Sequence, residues 1–206
     1  CPPPDGNRFM KNTALLSVRI KISEAEWFNI SSLTGGKMGK EKFIIDTDPG
    51  IDDAVALAIA LFSDSMDVKL ITTVAGNVSV EKVTANALRL MTFWGKRVPV
   101  AQGAKKPFIA PFIDASNVHG QSGMDGFDFP EPDMSLLCSE HAVSKMYEVI
   151  MAEKEISIIA IGPLTNLALL FALHPEVKPH ISRIVMMGGS ITRGNKGVMS
   201  EFNFAT

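Results

Sequence analysis

From residue 42 onward, short runs of consecutive apolar residues alternate with longer stretches in which apolar positions recur every three or four residues. Runs of the first kind read as strands buried on both faces, and stretches of the second kind as helices with one buried side. The pattern predicts strands at 42–46, 68–75, 98–101, 156–161 and 184–187, and helices at 52–63, 79–94, 139–153 and 163–173. Ser79 followed by Glu81 offers a cap-like start to the second helix, and Ala142, Met146, Val149 and Ile150 mark the apolar face of the third. Fully apolar strands alternating with helices imply an α/β domain of Rossmann-like type. Its sheet should be open and mainly parallel, with helices on both faces and right-handed crossovers.

Two stretches break the alternation. Residues 102–139 are rich in Pro, Gly, Asp and Phe. A loop this long inside a compact domain tends to serve as a lid or binding loop. The first 41 residues have another texture: a turn-rich start, Cys1-Pro2-Pro3-Pro4-Asp5-Gly6, then short apolar runs mixed with charges. Gly35-Gly36-Lys37 before Met38 is what a translated ribosome-binding sequence would give. Met38 is therefore expected to be the true start, with residues 1–37 an over-extended reading frame or an N-terminal extension. Residues 38–206 are then the N-terminal part of a single domain.

The chemistry concentrates where the first strand ends. Asp46-Thr47-Asp48-Pro49-Gly50-Ile51-Asp52-Asp53 puts four carboxylates into eight residues at a Pro-Gly turn between strand and helix. C-terminal strand ends are where open α/β sheets bind ligands. One or two acidic residues would suit the first turn of a helix, but Asp46 and Asp48 precede it. Clustered carboxylates repel one another unless a positive charge sits among them, and a hard divalent cation with oxygen ligands fits that need. An EF-hand is excluded, because Pro49-Gly50 and Asp52 break its pattern and no Glu stands at its twelfth position. A phosphatase with an Asp nucleophile stays open on these residues alone.

Composition narrows the classes further. A length of 206 residues suffices for one sizeable α/β core. A net charge of −2 argues against a nucleic-acid binder or a polybasic membrane binder. The longest apolar stretch, 54–62, is too short to span a bilayer. Two cysteines, Cys1 and Cys138, make neither a disulfide framework nor a zinc site, so a reducing cytoplasm is the expected compartment.

The acidic segment resembles the N-terminal signature of the calcium-dependent nucleoside hydrolases of the inosine-uridine preferring type. Later blocks match that family in order: Thr73-Val74-Ala75-Gly76-Asn77, Val118-His119-Gly120, Ile161-Gly162-Pro163-Leu164-Thr165-Asn166, Met186-Met187-Gly188-Gly189 and Glu201-Phe202-Asn203. The resemblance covers residues 42–206. It implies hydrolysis of the N-glycosidic bond of ribonucleosides to ribose and free base. It also implies calcium as cofactor and Asp48 as general base on a calcium-bound water. Asp48, Asp53 and the backbone carbonyl of Ile161 are the implied calcium ligands, with Asp46 a further ligand or a neighbour of one. Asp52, Asn77, Asn195, Glu201 and Asn203 match positions that hold the ribose hydroxyls, Met187 a residue lining that pocket, and His119 one near the base. Thr165-Asn166 would cap or brace the helix after Ile161.

The family's leaving-group acid and last calcium ligand are expected beyond residue 206, so the chain is read as a C-terminally shortened piece. Family members are commonly homo-oligomers. The alternative from another class is a non-catalytic fragment, or a paralogue that binds ribose or nucleosides without turning them over.

Overall fold

The structure, a computed structural model, describes residues 40–109, 111–112, 115, 120–194 and 200–205. Strands β1 (Glu41–Thr47), β2 (Met66–Thr73), β3 (Val100–Gln102), β4 (Ile156–Ala160) and β5 (Ile181–Met186) form one sheet, in the order β3-β2-β1-β4-β5. All four pairings are parallel. Helices α1 (Ile51–Phe62), α2 (Val80–Trp94), α3 (Ala142–Glu153) and α4 (Thr165–Leu173) supply the crossovers, and a short α5 (Phe202–Ala205) follows β5. The expected open, parallel α/β architecture is what is observed.

Strand order decides which helix covers which face. The chain steps outward from β1 to β2 to β3, then returns to the other side of β1 with β4 and steps outward again. Crossovers of one hand that run in opposite directions must place their helices on opposite faces. Accordingly Ile45, Ile71 and Val100 pack with Leu57, Ala60, Leu88 and Met91 of α1 and α2. Ile44, Leu70 and Ile158 pack with Met146 and Ile150 of α3 and Leu167 and Leu170 of α4. Neighbours such as Ile44 and Ile45 feed different cores because side chains alternate across a strand.

The same alternation sends Asp46 to the α3/α4 face and Thr47 to the α1/α2 face. In register, Asp46 lies beside Thr72 of β2 and Ala160 of β4. Between β1 and β4 the connections depart in opposite directions, which leaves a crevice beyond their C-terminal ends.

Element boundaries moved by small amounts. β5 begins at Ile181, three residues earlier than the apolar run suggests, because Ser182 and Arg183 are exposed positions of a strand at the margin of the described sheet. Ser79 stands at the N-cap of α2 without a side-chain cap bond. Among the described residues of the predicted loop 102–139, regular structure comes down to a 3-10 turn at Met134–Leu136 and an isolated bridge from Val100 to Leu137. His141 caps α3 through Nδ1, and His174 stacks on Tyr147 where α4 ends. The N-terminal stretch before residue 40, with the Met38 expectation, lies outside the described residues.

Candidate active site

Asp48 follows β1 directly and is buried. Its Oδ2 accepts the backbone N–H of Asn77 at 2.8 Å, and the Asn77 Nδ2 donates to the Asp48 carbonyl at 2.8 Å. Asn77 follows β2, so two strand ends are laced together across the crevice. Two glycines make room for the carboxylate: a Cβ on Gly76 would lie 2.1 Å from Asp48 Oδ2, and one on Gly162 would lie 2.9 Å from Oδ1. No side chain fits at the first position without expelling the carboxylate.

Asp53 is the third residue of α1. Its Oδ2 reaches back to the Gly50 N–H at 3.2 Å, the carboxylate half of a capping box, and its Oδ1 accepts from Thr47 Oγ1 at 2.7 Å. Asn77 Nδ2 also lies 3.4 Å from Asp53 Oδ2. Both Asn77 donors thus face the acidic turn, and what it retains for a ligand is the amide oxygen. Asp52 is exposed, one residue around the helix.

Asp46 is fully buried under this pair. Its Oδ1 accepts from Thr72 Oγ1 at 2.5 Å and from Asn166 Nδ2 at 2.8 Å, while its Oδ2 is buried with no hydrogen-bond partner among the described residues. Asn166 is the hub of the crevice floor. Its Nδ2 also donates to the Thr73 carbonyl at 3.0 Å, and its Oδ1 accepts the Ala104 N–H at 2.9 Å. It braces the ends of β1, β2 and β3 rather than capping its own helix, for which Leu164 is the N-cap.

Burial dominates the electrostatics. It pushes the Asp46 carboxyl up to about 7 against the bonds from Asn166 and Thr72. Asp48 is held well above the ordinary carboxylate range, first by burial and then by the charge of Asp53. Asp53 rises to about 6 through burial, which outweighs the bond from Thr47, with the Asp52 charge adding to the rise. Asp48 and Asp53, buried together and each resisting ionisation, form a pair that favours a positive charge between them.

The donor set suits a hard cation in kind. Among the described residues no three acidic, His or Cys side chains are arranged as a metal cage, since Asp46 commits one oxygen to Thr72 and Asn166. Asp48 and Asp53 remain, with main-chain oxygens such as that of Ile161, whose own N–H is tied to the Asp46 carbonyl at 2.8 Å. Such oxygens fit calcium better than a soft metal.

The outer wall comes from β5 and α5. Asn203 is buried, and its Nδ2 lies 2.7 Å from the Ile161 carbonyl, 3.2 Å from the Met187 carbonyl and 3.2 Å from Met187 Sδ. Glu201 Oε2 accepts the Asn203 N–H at 2.8 Å. A Cβ on Gly188 would lie 2.2 Å from the Phe204 ring, so that glycine lets α5 close onto the end of β5. The structure thus gathers Asp46, Asp48, Asp53, Asn77, Ile161, Met187, Glu201 and Asn203 around one crevice, with Asp52 at its rim. His119 and Asn195 lie outside the described residues.

The profile of the family described as inosine-uridine preferring nucleoside hydrolase matches residues 43–206, which include every carboxylate and amide of this crevice. The chain belongs to that nucleoside hydrolase family. It is 53% identical over 163 residues to the non-specific ribonucleoside hydrolase RihC of Klebsiella pneumoniae, covering 79% of this chain and 53% of that protein. A RihC from Escherichia fergusonii is 51% identical over 161 residues, with 78% and 53% covered. Among solved structures, a purine-preferring ribonucleoside hydrolase from Gardnerella vaginalis superposes with a TM-score of 0.74 at 30% identity, covering 79% of this chain and 54% of that one. A plant nucleoside hydrolase gives 0.71 at 34% identity, covering 80% and 53%. The chain spans about half the length of the relatives it matches. No helix of the described residues is long and apolar enough to cross a membrane.

Asn166, Thr47 and Thr72 hold the crevice carboxylates although the sequence pattern does not single them out as site residues. Thr47 sits inside the acidic motif and Asn166 inside the Ile161 block. Thr72 carried no signal, since its role depends on the register that sets it beside Asp46.

Proposed function

We propose that this crevice is the metal- and sugar-binding part of a ribonucleoside N-ribohydrolase, which converts a ribonucleoside and water to ribose and a free base. The observation that carries the reading is the convergence of buried Asp48 and Asp53 with Asn77 at the switch point of the sheet. Such placement is costly for carboxylates and is repaid by binding a cation.

Asp48, Asp53 and the Ile161 carbonyl would hold calcium. When bound, the cation supplies positive charge that lowers the pKa of a water at the site. Asp48 is placed by the Asn77 N–H and takes that water's proton as general base. The water oxygen bonds to C1′ as the C1′–N bond breaks; the nucleobase leaves with that electron pair and takes up one proton to become the free base. Asp53 stays ionised once the cation is present, held by Thr47 and the Gly50 N–H. Asp52, Glu201 and the amide oxygens of Asn77 and Asn203 offer acceptors to which ribose hydroxyls can donate. Bonds of this kind that strengthen as positive charge grows on the sugar favour the transition state. On the same reading the protein serves nucleoside salvage in the cytoplasm as a homo-oligomer; Cys138, a free and partly buried thiol, suits a reducing compartment.

The test is release of free base from inosine and uridine by the complete gene product in millimolar calcium, beside its Asp48→Asn variant. Base release that depends on Asp48 is the expected result. Calcium and nucleoside binding without base release would instead identify a binding paralogue.

A further inference from the structure

The long segment after β3 touches the acidic turn through one side chain that the proposed reaction does not use. Asn86 lies on α2 and is buried. Its Nδ2 donates to the Pro49 carbonyl at 3.2 Å and to the Ser122 carbonyl at 2.8 Å. Pro49 stands between Asp48 and Gly50, and the N–H of the same peptide unit, on Gly50, donates to Asp53 Oδ2. That planar unit is therefore held at both ends, by Asn86 on its oxygen and by Asp53 on its nitrogen. Since a peptide unit turns as a rigid plane, releasing the carbonyl would also misalign the Asp53 bond.

The second amide hydrogen engages a loop that is ordered from within. Asp125 accepts from the N–H groups of Gln121 and Ser122 and from the Ser122 hydroxyl. Gly120, Gly123 and Gly126 take positive φ values there. A Cβ on Gly123 would approach Asn86 Nδ2 to 3.1 Å and Val78 Cγ2 to 3.0 Å, so the loop backbone lies directly on the amide. One helical turn earlier on the same face, Lys82 Nζ donates to the Gln121 carbonyl at 2.5 Å. Lys82 thus grips the loop alone, whereas Asn86 grips loop and acidic turn together.

We infer that Asn86 is a positioning residue that sets the Pro49–Gly50 peptide, and through it the Asp48/Asp53 pair, while clamping the 120–126 loop to the same turn. For the consequence in metal binding the inference rests on the calcium reading above; the structural coupling stands without it. Both donors are needed, so a substitute of the same shape that lacks them should fail.

The experiment compares Asn86→Asp, Asn86→Leu and Lys82→Met in the complete gene product, by amide hydrogen exchange and by calcium titration calorimetry. Both Asn86 variants should speed exchange at Gly50 and Ile51 and also at Gln121 and Ser122. Calcium binding should weaken about 10–100-fold, the usual consequence of removing a group that orients metal ligands. Lys82→Met should speed exchange in the loop only and leave calcium affinity unchanged. A purely packing role would spare Asn86→Leu, which fills a similar volume without donors or charge. Should Asn86→Leu fail to fold, Asn86→Ala, smaller and without a donor, replaces it. Unaltered exchange at Gly50 and Ile51 in the Asn86 variants overturns the inference, as does a Lys82→Met variant that reproduces both effects. A parent protein that binds no calcium would refute the metal reading, and the exchange pattern would still decide the role of Asn86.

Discussion

The floor of the crevice and its outer wall are built in opposite ways. On the floor, Asp46, Asp48, Asp53, Asn77 and Asn166 are all buried and tied into a web that crosses the ends of β1, β2 and β3. On the wall, Met187 is 45% exposed and Ile191 is 81% exposed, and the arrangement hangs largely on the Asn203 amide. Charge is concentrated where water is excluded, whereas the wall joins one buried amide, Asn203, to the partly exposed Glu201 and Met187. The floor is therefore suited to fixing an ion and a proton acceptor, which need a set geometry. The wall suits a sugar, which must enter and leave.

Breaking the floor at its proton acceptor should have the largest effect. Asp48→Asn keeps the shape and the Asn77 contact but removes the proposed base, and should lower kcat by about 10²–10⁴-fold. Steady-state hydrolysis of inosine with calcium saturating is the measurement. A variant that keeps near-parental turnover would assign the base elsewhere.

The next test sets floor against wall by stability. Asn166→Leu leaves the Ala104 N–H buried without this partner, takes one of two bonds from the Thr73 carbonyl, which keeps the Gly103 N–H, and takes one of two donors from Asp46. At about 1–3 kcal/mol for the unsatisfied N–H and about 1 kcal/mol for each of the other lost bonds, the loss should reach several kcal/mol. That corresponds to a fall in Tm of roughly 10 °C or more. Asn203→Leu, at the wetter wall, should cost less than half as much. Equal shifts in thermal melts would mean that the wall is as deeply built in as the floor.

A smaller effect comes from proton linkage. With Asp46 raised to about 7 and Asp53 to about 6, the folded protein binds more protons than the unfolded chain from about pH 4 to pH 7. The contribution of these groups to stability is complete at low pH and is lost as the pH rises through 6 and 7. Melting in the presence of a chelator should therefore fall by several degrees between pH 5 and pH 8. Calcium should restore it most at pH 8, where the carboxylates are ionised. Asp46→Asn should flatten part of the slope. A chelated protein that melts higher at pH 8 than at pH 5 would contradict the burial of these charges.

The two regions also differed in how far the sequence revealed them. The alternation of fully apolar strands with helices predicted the parallel sheet, and the acidic run after residues 43–45 located the floor, because both signals are local. Asn166 and Asn86 were not legible as hubs. Their partners lie far along the chain, at Asp46, Thr73 and Ala104 for one and at Pro49 and Ser122 for the other. Only strand order and register bring those groups together. Thr72 shows this most simply: a β-branched residue in a strand is ordinary until pairing sets it against a buried carboxyl.

The smallest expected effect belongs to the wall, and it tests whether that side reads the sugar. Glu201 receives the Asn203 N–H at the opening of α5, so its carboxylate is held at the crevice by main chain rather than by the floor. Glu201→Ala should leave calcium affinity unchanged, since none of the proposed ligands bonds to it. It should lower kcat/KM for ribonucleosides by about tenfold, the scale of one hydrogen bond to a charged group. A 2′-deoxynucleoside, which already lacks one hydroxyl, should lose less. Asn203→Ala in the same series should lower activity on both substrates, because it also releases the Ile161 carbonyl. Ratios of kcat/KM for inosine and 2′-deoxyinosine across the two variants give the answer. A Glu201→Ala loss equal on both substrates would remove this residue from the reading of the 2′-hydroxyl and leave the wall a structural cover for the floor.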